Sequence, residues 1–264
     1  MDRSTSVSIW AELYWIYRKS GMKEVLPIVK RDIKDLKSSA VQSLALINKF
    51  SNYEAVKEHL ILRPLNNDDN EKALAKGIYR RVGDMALVLY ISLGNMVQGT
   101  TQNILSTMVS QDIFQIWGMD EKEVFDWALE STMRLQPPVL CQIIWGIGTQ
   151  LQQKHVHFME DESGTFNFDN PLAPALTTEQ EVNGAIAAFY PGVLERLYQM
   201  VNGDFYLMFT SIYDVHINPV DGHFKTSAMR AALADTNRDM NQRGELLTRQ
   251  LYRYNGGTKE ITVV

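Results

Sequence analysis

The sequence predicts an α+β fold, in which a helical N-terminal part is followed by a mixed, mainly antiparallel sheet with helices. Three observations predict it. Apolar residues recur at helical spacing through about the first forty residues. Apolar runs of strand length follow at 85–91 and 205–217. Helices and strands do not alternate regularly along the chain, whereas a parallel α/β sheet requires that alternation.

The composition is that of a chain with a buried core. Its 264 residues, 45% of them hydrophobic and 10% aromatic, suffice for one large domain or two small lobes. The formal net charge of −5 gives no general attraction to nucleic acid or to an anionic membrane, so nucleic-acid binding is disfavoured. A single cysteine forms no intramolecular disulfide, and the N-terminus does not resemble a signal peptide. We therefore expect a cytoplasmic protein.

Two long uncharged runs raise the question of membrane spans. Polar residues interrupt the centre of 85–111, and prolines and glycines break 135–153. A membrane span tolerates such residues least at its centre, because lipid satisfies no exposed backbone polar group. We therefore expect no membrane partner.

The first two predicted elements are amphipathic helices. The first carries more aromatic side chains than one buried stripe needs, among them Trp10 and Tyr14. Aromatic residues of this kind dominate interface hot spots. The second helix has a basic face that includes Lys23, Lys30 and Lys34. We expect these five residues to bind a partner, although a charged helix face is more often only solvated.

Strands and capped helices are predicted next. The continuous apolar run 85–91 predicts a buried central strand, and 100–108 is expected to pair with it. Ser110 is expected to cap a short helix that Gly118 ends. Asp120 then begins an acidic helix, because a side-chain oxygen there accepts from the free N–H groups of the first turn.

The stretch 160–174 has the composition of a loop throughout and predicts a boundary between two lobes, 1–159 and 160–264. Several elements are predicted in the second lobe: a strand near 185–189, a helix over 191–201, two antiparallel strands at 205–209 and 213–217, a polar helix over 228–241, and edge strands at 251–254 and 261–264.

Several of these stretches carry a resemblance: Asn183-Gly-Ala, Trp117-Gly-Met-Asp with the acidic helix after it, and the leucine-then-tyrosine stretch Leu246–Tyr254. They resemble an uncharacterised family of unknown function, common in anaerobic Gram-positive bacteria and in their phages and mobile elements. The resemblance is best over residues 80–264. It implies an order of elements and no reaction. Family members often have a proline-serine-serine turn and a histidine-acid pair where this chain has Thr210-Ser211 and Tyr213-Asp214.

Two side-chain patterns are candidates for metal or thiol chemistry. His155-Val-His157 precedes acidic residues 160–162, and alternate residues of a strand point the same way, so two imidazoles and a carboxylate could hold a metal. No distant further ligand stands out, so exposed loop residues are the favoured interpretation and no metal is predicted. Cys141 lies among apolar neighbours, which favours a small buried residue over a catalytic thiol.

A pocket between the lobes is a further possibility. Its expected lining is Tyr206, Ser211, Tyr213, Asp214 and His216. His216 and Asp214 could form an acid–base cluster with the later His223 and Asp221, but the surrounding dipeptides are ordinary turn formers. The sequence contains no phosphate-binding glycine loop and no common hydrolase or zinc-helix motif.

We therefore expect a non-catalytic cytosolic binding protein that docks on a macromolecule of a host or mobile element, for example as an inhibitor or regulator. The phage or mobile-element origin is implied by the resemblance alone. A protein partner is expected, and no cofactor. The alternative is an enzyme or nucleotide-binding protein whose pocket lies between the lobes.

Overall fold

The computed structural model of the chain describes residues 49–93, 106–145, 151–160, 168, 174–220 and 225–264. The chain divides into two compact units, Met1–Asn52 and Tyr53–Val264. The boundary expected between residues 159 and 160 falls inside the second unit. The two predicted N-terminal helices lie outside the described residues, together with the expected partner-binding residues Trp10, Tyr14, Lys23, Lys30 and Lys34.

A small antiparallel sheet in the second unit has β3 (Met85–Ser92) at its centre. Its neighbours β1 (Leu60–Asn66), β2 (Tyr79–Val82) and β4 (Ser106–Met108) all pair with β3 in antiparallel register. Leu87 is 8% exposed and Val88 is fully buried, so both faces of β3 are covered. The predicted central strand is thereby confirmed.

In the described residues, four α-helices accompany this sheet along the chain: α1 (Tyr53–Val56), α2 (Glu71–Leu74), α3 (Gln111–Trp117) and α4 (Glu121–Leu135). A short 3₁₀ helix, Lys57–His59, follows α1. The predicted caps are confirmed. The Ser110 hydroxyl accepts from the Ile113 N–H at 3.3 Å. Gly118 ends α3 in the left-handed region at φ 61°, and the Asp120 carboxylate begins α4 by accepting from the Glu123 N–H at 3.1 Å.

A second, seven-stranded sheet has the strand order β11-β10-β8-β9-β7-β5-β6, and all its neighbouring strands are antiparallel. Its strands are β5 (Pro138–Trp145), β6 (Leu151–Val156), β7 (Ala175–Thr178), β8 (Phe205–Phe209), β9 (Val215–Pro219), β10 (Tyr252–Asn255) and β11 (Glu260–Val263). Strands from both sides of residue 160 thus belong to one sheet.

Two further α-helices belong to the C-terminal part of this unit, α5 (Val193–Val201) and α6 (Thr226–Arg243). The expected strand near 185–189 is instead a 3₁₀ helix, Gly184–Phe189. Tertiary packing explains the difference. A side chain at position 184 would collide with the Thr177 hydroxyl and the Tyr213 carbonyl oxygen, so only glycine lets the backbone approach β7 this closely.

The seven-stranded sheet has one apolar face. Residues directly opposite each other on neighbouring strands share a face. Leu140, Leu176, Leu207 and Ile217 lie on this face and are all fully buried. These side chains belong to the buried core of the unit, and their removal from water stabilises it. The opposite face of the sheet carries polar residues, among them His155 and His216.

Asp84 connects the small sheet to the seven-stranded sheet. It lies in the turn between β2 and β3 and accepts from the Tyr252 hydroxyl at 2.6 Å, the Thr248 hydroxyl at 2.5 Å and the Arg249 N–H at 3.0 Å. One carboxylate thereby satisfies three donors from the segment that leads into β10. The two uncharged runs seen in the sequence raised the possibility of membrane spans. Among the described residues, every helix is too short or too polar to cross a membrane.

Candidate functional site

A row of side chains crosses the polar face of the seven-stranded sheet. In register, His155 of β6 lies opposite Cys141 of β5, Cys141 opposite Ala175 of β7, and Ala175 opposite His216 of β9. Met208 of β8 continues the row beyond His216. Because residues directly opposite share a face, these five side chains all project from the same side of the sheet.

One end of this row is a cluster of three metal-ligating residues, Cys141, His155 and Glu181. The thiol sulfur, an imidazole nitrogen and a carboxylate oxygen lie within 4.8 Å of one another. The His155 Nε2 is 2.7 Å from the Glu181 Oε1. Cys141 and His155 are half-buried, whereas Glu181 is exposed. The cluster is therefore open to solvent on one side and backed by the sheet on the other.

Glu181 reaches the cluster because the turn after β7 folds back over the sheet. Its N–H donates to the Thr178 carbonyl at 2.9 Å, and the Thr178 hydroxyl donates to the Val182 carbonyl at 3.3 Å. Glu181 itself has φ 54°, in the left-handed region. That conformation costs an L residue about 1–2 kcal/mol, and such backbone strain concentrates at functional sites.

The electrostatic surroundings of the cluster are negative. Burial, followed by the nearby carboxylates of Glu181 and Asp214, raises the pKa of the Cys141 thiol. Along the same row, burial lowers the pKa of His216, and Asp214 opposes this change. The imidazole of His216 is thus neutral at neutral pH, and the thiol is protonated unless a cation is present.

The structure gives the His155-Val-His157 pattern carboxylate partners that were not evident from the sequence. The carboxylates come from the turn after β7, where Glu181 meets His155 and the Glu179 Oε1 lies 4.0 Å from the His157 Nε2. Cys141, expected in the apolar interior, is half-buried and projects from the polar face. Its chain neighbour Leu140 takes the buried position, because successive side chains of a strand alternate between faces.

The five residues of the expected pocket fall into two groups. Tyr206 and His216 lie on the polar face of the sheet. Ser211, Tyr213 and Asp214 form the turn between β8 and β9, where the Ser211 hydroxyl donates to Asp214 at 3.3 Å and accepts from the Tyr213 N–H at 3.0 Å. The Tyr213 hydroxyl donates to Glu245 at 2.8 Å. These bonds order the turn.

A cleft of about 640 Å³ lies elsewhere in the unit, against the C-terminal hairpin. Its lining includes Tyr190, Leu194, Tyr254 and Ile261, and none of the five expected pocket residues. Tyr254 and Ile261 are opposite each other in β10 and β11. The lining also includes Glu195, Lys259 and Glu260, with the Lys259 Nζ 3.9 Å from the Glu195 Oε1, and it contains no cysteine or histidine.

Comparison with known proteins identifies a family and no function. The sequence matches a family of unknown function (DUF5688) over residues 1–256, which includes the N-terminal part where the resemblance seen in the sequence was looser. No curated protein and no solved structure matches the chain.

Proposed function

Because the chain belongs to DUF5688, a family of unknown function, we propose a function from the site itself: Cys141, His155 and Glu181 bind a divalent transition-metal ion of the zinc class. The observation that carries the proposal is the approach of three ligand atoms to within 4.8 Å from three separate segments of chain. Two of these segments are paired strands, and the third is a turn held in a strained conformation.

The ligand set selects the kind of metal. A thiolate and an imidazole are ligands that zinc prefers, and a carboxylate completes many zinc sites, whereas calcium and magnesium prefer oxygen ligands alone. Ligand atoms around tetrahedral zinc lie about 3.5 Å apart. Metal binding would therefore draw together ligand atoms that are now up to 4.8 Å apart. Three protein ligands leave the fourth position open, as in catalytic zinc sites.

A thiol nucleophile is the rival function for the same residues. Cys141, His155 and Glu181 are also the residue types of a nucleophile, a general base and the acid that orients the base. Such a nucleophile requires a lowered thiol pKa, which basic neighbours or a helix N-terminus supply. Here burial, followed by the acidic neighbours Glu181 and Asp214, raises the pKa of the thiol. The same carboxylates attract a cation, so the electrostatics favour the metal.

The sequence also predicts a docking protein of phage or mobile-element origin that acts as an inhibitor or regulator. We keep this role as a proposal, and the metal site does not depend on it. The contact residues expected for this role lie outside the described part of the chain. Metal binding is compatible with either a docking protein or an enzyme.

The proposal is tested by metal titration of the chelator-treated full chain. We expect one zinc ion per chain by competition with a chromophoric chelator, and a sulfur-to-metal charge-transfer band with cobalt. Cys141→Ser should abolish that band. Cys141→Ser and Glu181→Gln should each weaken zinc binding at least about tenfold, because losing even a residue that only hydrogen-bonds to a metal ligand has an effect of that size.

The matched control is Glu179→Gln. Glu179 belongs to the neighbouring histidine–glutamate pair and is not in the cluster, so its loss should leave zinc affinity within a few fold. A stoichiometry well below one, or a cobalt spectrum without a sulfur band, would contradict the proposal.

A further inference from the structure

The outer edge of β11 is one end of the seven-stranded sheet, and among the described residues no strand pairs with it. The cleft of about 640 Å³ borders this strand, since Glu260, Ile261 and Thr262 belong to its lining. Solvent therefore reaches this end of the sheet. An open edge presents unpaired N–H and C=O groups to which a further strand can bind.

The hydrogen bonds to β10 show which residues of β11 direct their backbone groups to this edge. The Val264 N–H donates to the Leu251 carbonyl at 2.9 Å. In an antiparallel pair, residues that exchange hydrogen bonds alternate with residues that do not. Val264 and Thr262 therefore direct their backbone groups toward β10, whereas Ile261 and Val263 direct theirs outward.

The side chains of Ile261 and Val263 extend the apolar face of the sheet to this edge. Val263 lies opposite Tyr252, and Tyr252 lies opposite Leu207 on the apolar face. Tyr252 is 1% exposed and Leu207 is fully buried, whereas Val263 is 50% exposed. The apolar face is thus covered at β10 and uncovered at β11.

The sequence of β11 favours pairing with a further strand. Edge strands usually carry a charged residue or a proline that prevents such pairing. The edge strands β1, β2 and β6 follow this rule, since they contain Pro64, Arg80 and Lys154 respectively. In β11 the single charged residue occupies the first position, and three β-branched residues follow it. The outward-facing part of β11 therefore has no such protection.

We propose that β11 is a dimerisation strand, which pairs in antiparallel register with β11 of a second copy of this chain. With the twofold axis at Thr262, Ile261 lies opposite Val263 of the second copy. The outward N–H and C=O groups of these two residues then bond to each other, and their side chains pack together on the apolar face. Glu260 lies opposite Val264, so no like charges meet.

This self-complementarity selects a second copy as the occupant. A twofold interface presents the same patch on both subunits, so a strand must match its own sequence read in the opposite direction. The segment around Thr262 meets that requirement in backbone bonding, in apolar side chains and in charge. The interface uses none of the residues of the metal cluster and does not depend on a bound metal.

Cysteine crosslinking tests both the contact and its register. At the twofold axis Thr262 faces its own copy with the Cα atoms about 4.5 Å apart. A disulfide requires Cα atoms about 4.4–6.8 Å apart. In a Cys141→Ser background, Thr262→Cys should therefore give a disulfide-linked dimer under mild oxidation, measured on a non-reducing gel.

Glu260→Cys in the same Cys141→Ser background is the matched control. In the proposed register its two copies lie about 13 Å apart, because each is displaced by two residues from the axis. This variant should crosslink much more slowly than Thr262→Cys.

Sedimentation velocity of the full chain over a range of concentrations tests the association without crosslinking. We expect a monomer–dimer equilibrium. Val263→Pro removes an outward N–H group and keeps the hydrogen bonds to β10, which is where an edge strand tolerates proline. The dimer loses this bond twice, so the dissociation constant should rise at least about tenfold. Val263→Thr is the matched control, since it keeps the N–H group and a β-branched side chain, and its dissociation constant should stay within a few fold.

Three results would overturn the inference. The first is a wild-type chain that stays monomeric at every concentration, in which case the edge is solvated or binds a strand of a different protein. The second is that Thr262→Cys and Glu260→Cys crosslink at equal rates, since the copies then do not meet in this register. The third is a dimer that Val263→Pro and Val263→Thr leave equally stable, since another surface then holds it together.

Discussion

Cys141 and His216 lie in one cross-strand row of the seven-stranded sheet, and Ala175 is the only residue between them. The side chain of Ala175 is a single methyl group, so His216 is the next polar residue of the row beyond Cys141. His216 is not one of the three clustered ligands. This arrangement places a neutral imidazole in the same row as the proposed metal site, two strands away from Cys141.

The first prediction concerns His216→Gln. We expect this variant to bind zinc within a few fold of the wild type, because His216 lies beyond Ala175 and is not a ligand. The measurement is competition with a chromophoric chelator, with Cys141→Ser as the comparison. If His216→Gln loses zinc as strongly as Cys141→Ser does, four protein ligands close the site, and the site is structural.

The second prediction separates the strain at Glu181 from its chemistry. Glycine adopts the left-handed conformation without the cost of about 1–2 kcal/mol that an L residue has. Its greater conformational freedom in the unfolded chain lowers the stability of the protein by about 0.5–1 kcal/mol. Glu181→Gly should therefore unfold within about 1 kcal/mol of the wild type while binding zinc at least about tenfold more weakly. Urea denaturation measures the stability of the variant, and zinc titration of the same preparation measures its affinity.

Asn183 provides the matched control for this variant. It is also left-handed, at φ 51°, and lies outside the metal cluster. Asn183→Gly should leave zinc affinity unchanged. A loss of several kcal/mol in Glu181→Gly would show instead that this side chain holds the turn in place.

The third prediction concerns alkaline pH. Burial, followed by the hydrogen bond to Asp84, raises the pKa of Tyr252 to about 12. The unfolded chain titrates this hydroxyl near a pKa of about 10. The native protein therefore holds the proton more tightly, and the stabilisation is complete below about pH 10 and is lost as the pH rises through about 12.

Tyr252→Phe isolates this effect. Below about pH 10 the variant should be less stable by about 1.5–3 kcal/mol, because a hydrogen bond to a charged group is lost. Urea midpoints from about pH 8 to about pH 12 should show that the difference between variant and wild type shrinks toward the alkaline end. A difference that stays constant over this range would mean that Tyr252 does not titrate with a raised pKa.

The fourth prediction tests the centre of the small sheet. Leu87→Ala removes most of a buried side chain from β3 and leaves a cavity, so we expect a loss of roughly 2–5 kcal/mol. Thr107→Ala in the peripheral strand β4, where the side chain is half-buried, should cost less than about 1 kcal/mol. Equal losses in the two variants would contradict the central position of β3.

Structural features that depend on residues close together in the chain could be predicted from the sequence. The caps at Ser110 and Asp120 and the left-handed Gly118 depend on contacts with the adjacent turn of helix, so residue type alone predicts them. The alternation of 205–209 likewise predicts a strand with one buried face, which the structure confirms. The sequence predicts a strand near 185–189, and the structure has a 3₁₀ helix at Gly184–Phe189, because a short apolar run is compatible with several buried structures.

The candidate site depends on pairing between distant segments, which local sequence patterns do not specify. Cys141 meets His155 only because β5 pairs with β6, and Glu181 joins them only because its backbone turns back in a left-handed conformation. The alternation of His155 and His157 indicates that both side chains project from one face, but it does not identify the carboxylates that they contact. Similarly, the polar stretch after residue 159 predicts a loop, but composition does not reveal that strands on both sides of it share one sheet.

The half-buried thiol of Cys141 also makes the site convenient to observe. Since Cys141 is the only cysteine in the sequence, a thiol-reactive fluorophore or spin label attaches to the natural protein at a single position. The label then sits beside His155, without any engineered mutation. A bound metal would shield the sulfur, so the rate at which the purified protein is labelled reports directly on metal occupancy.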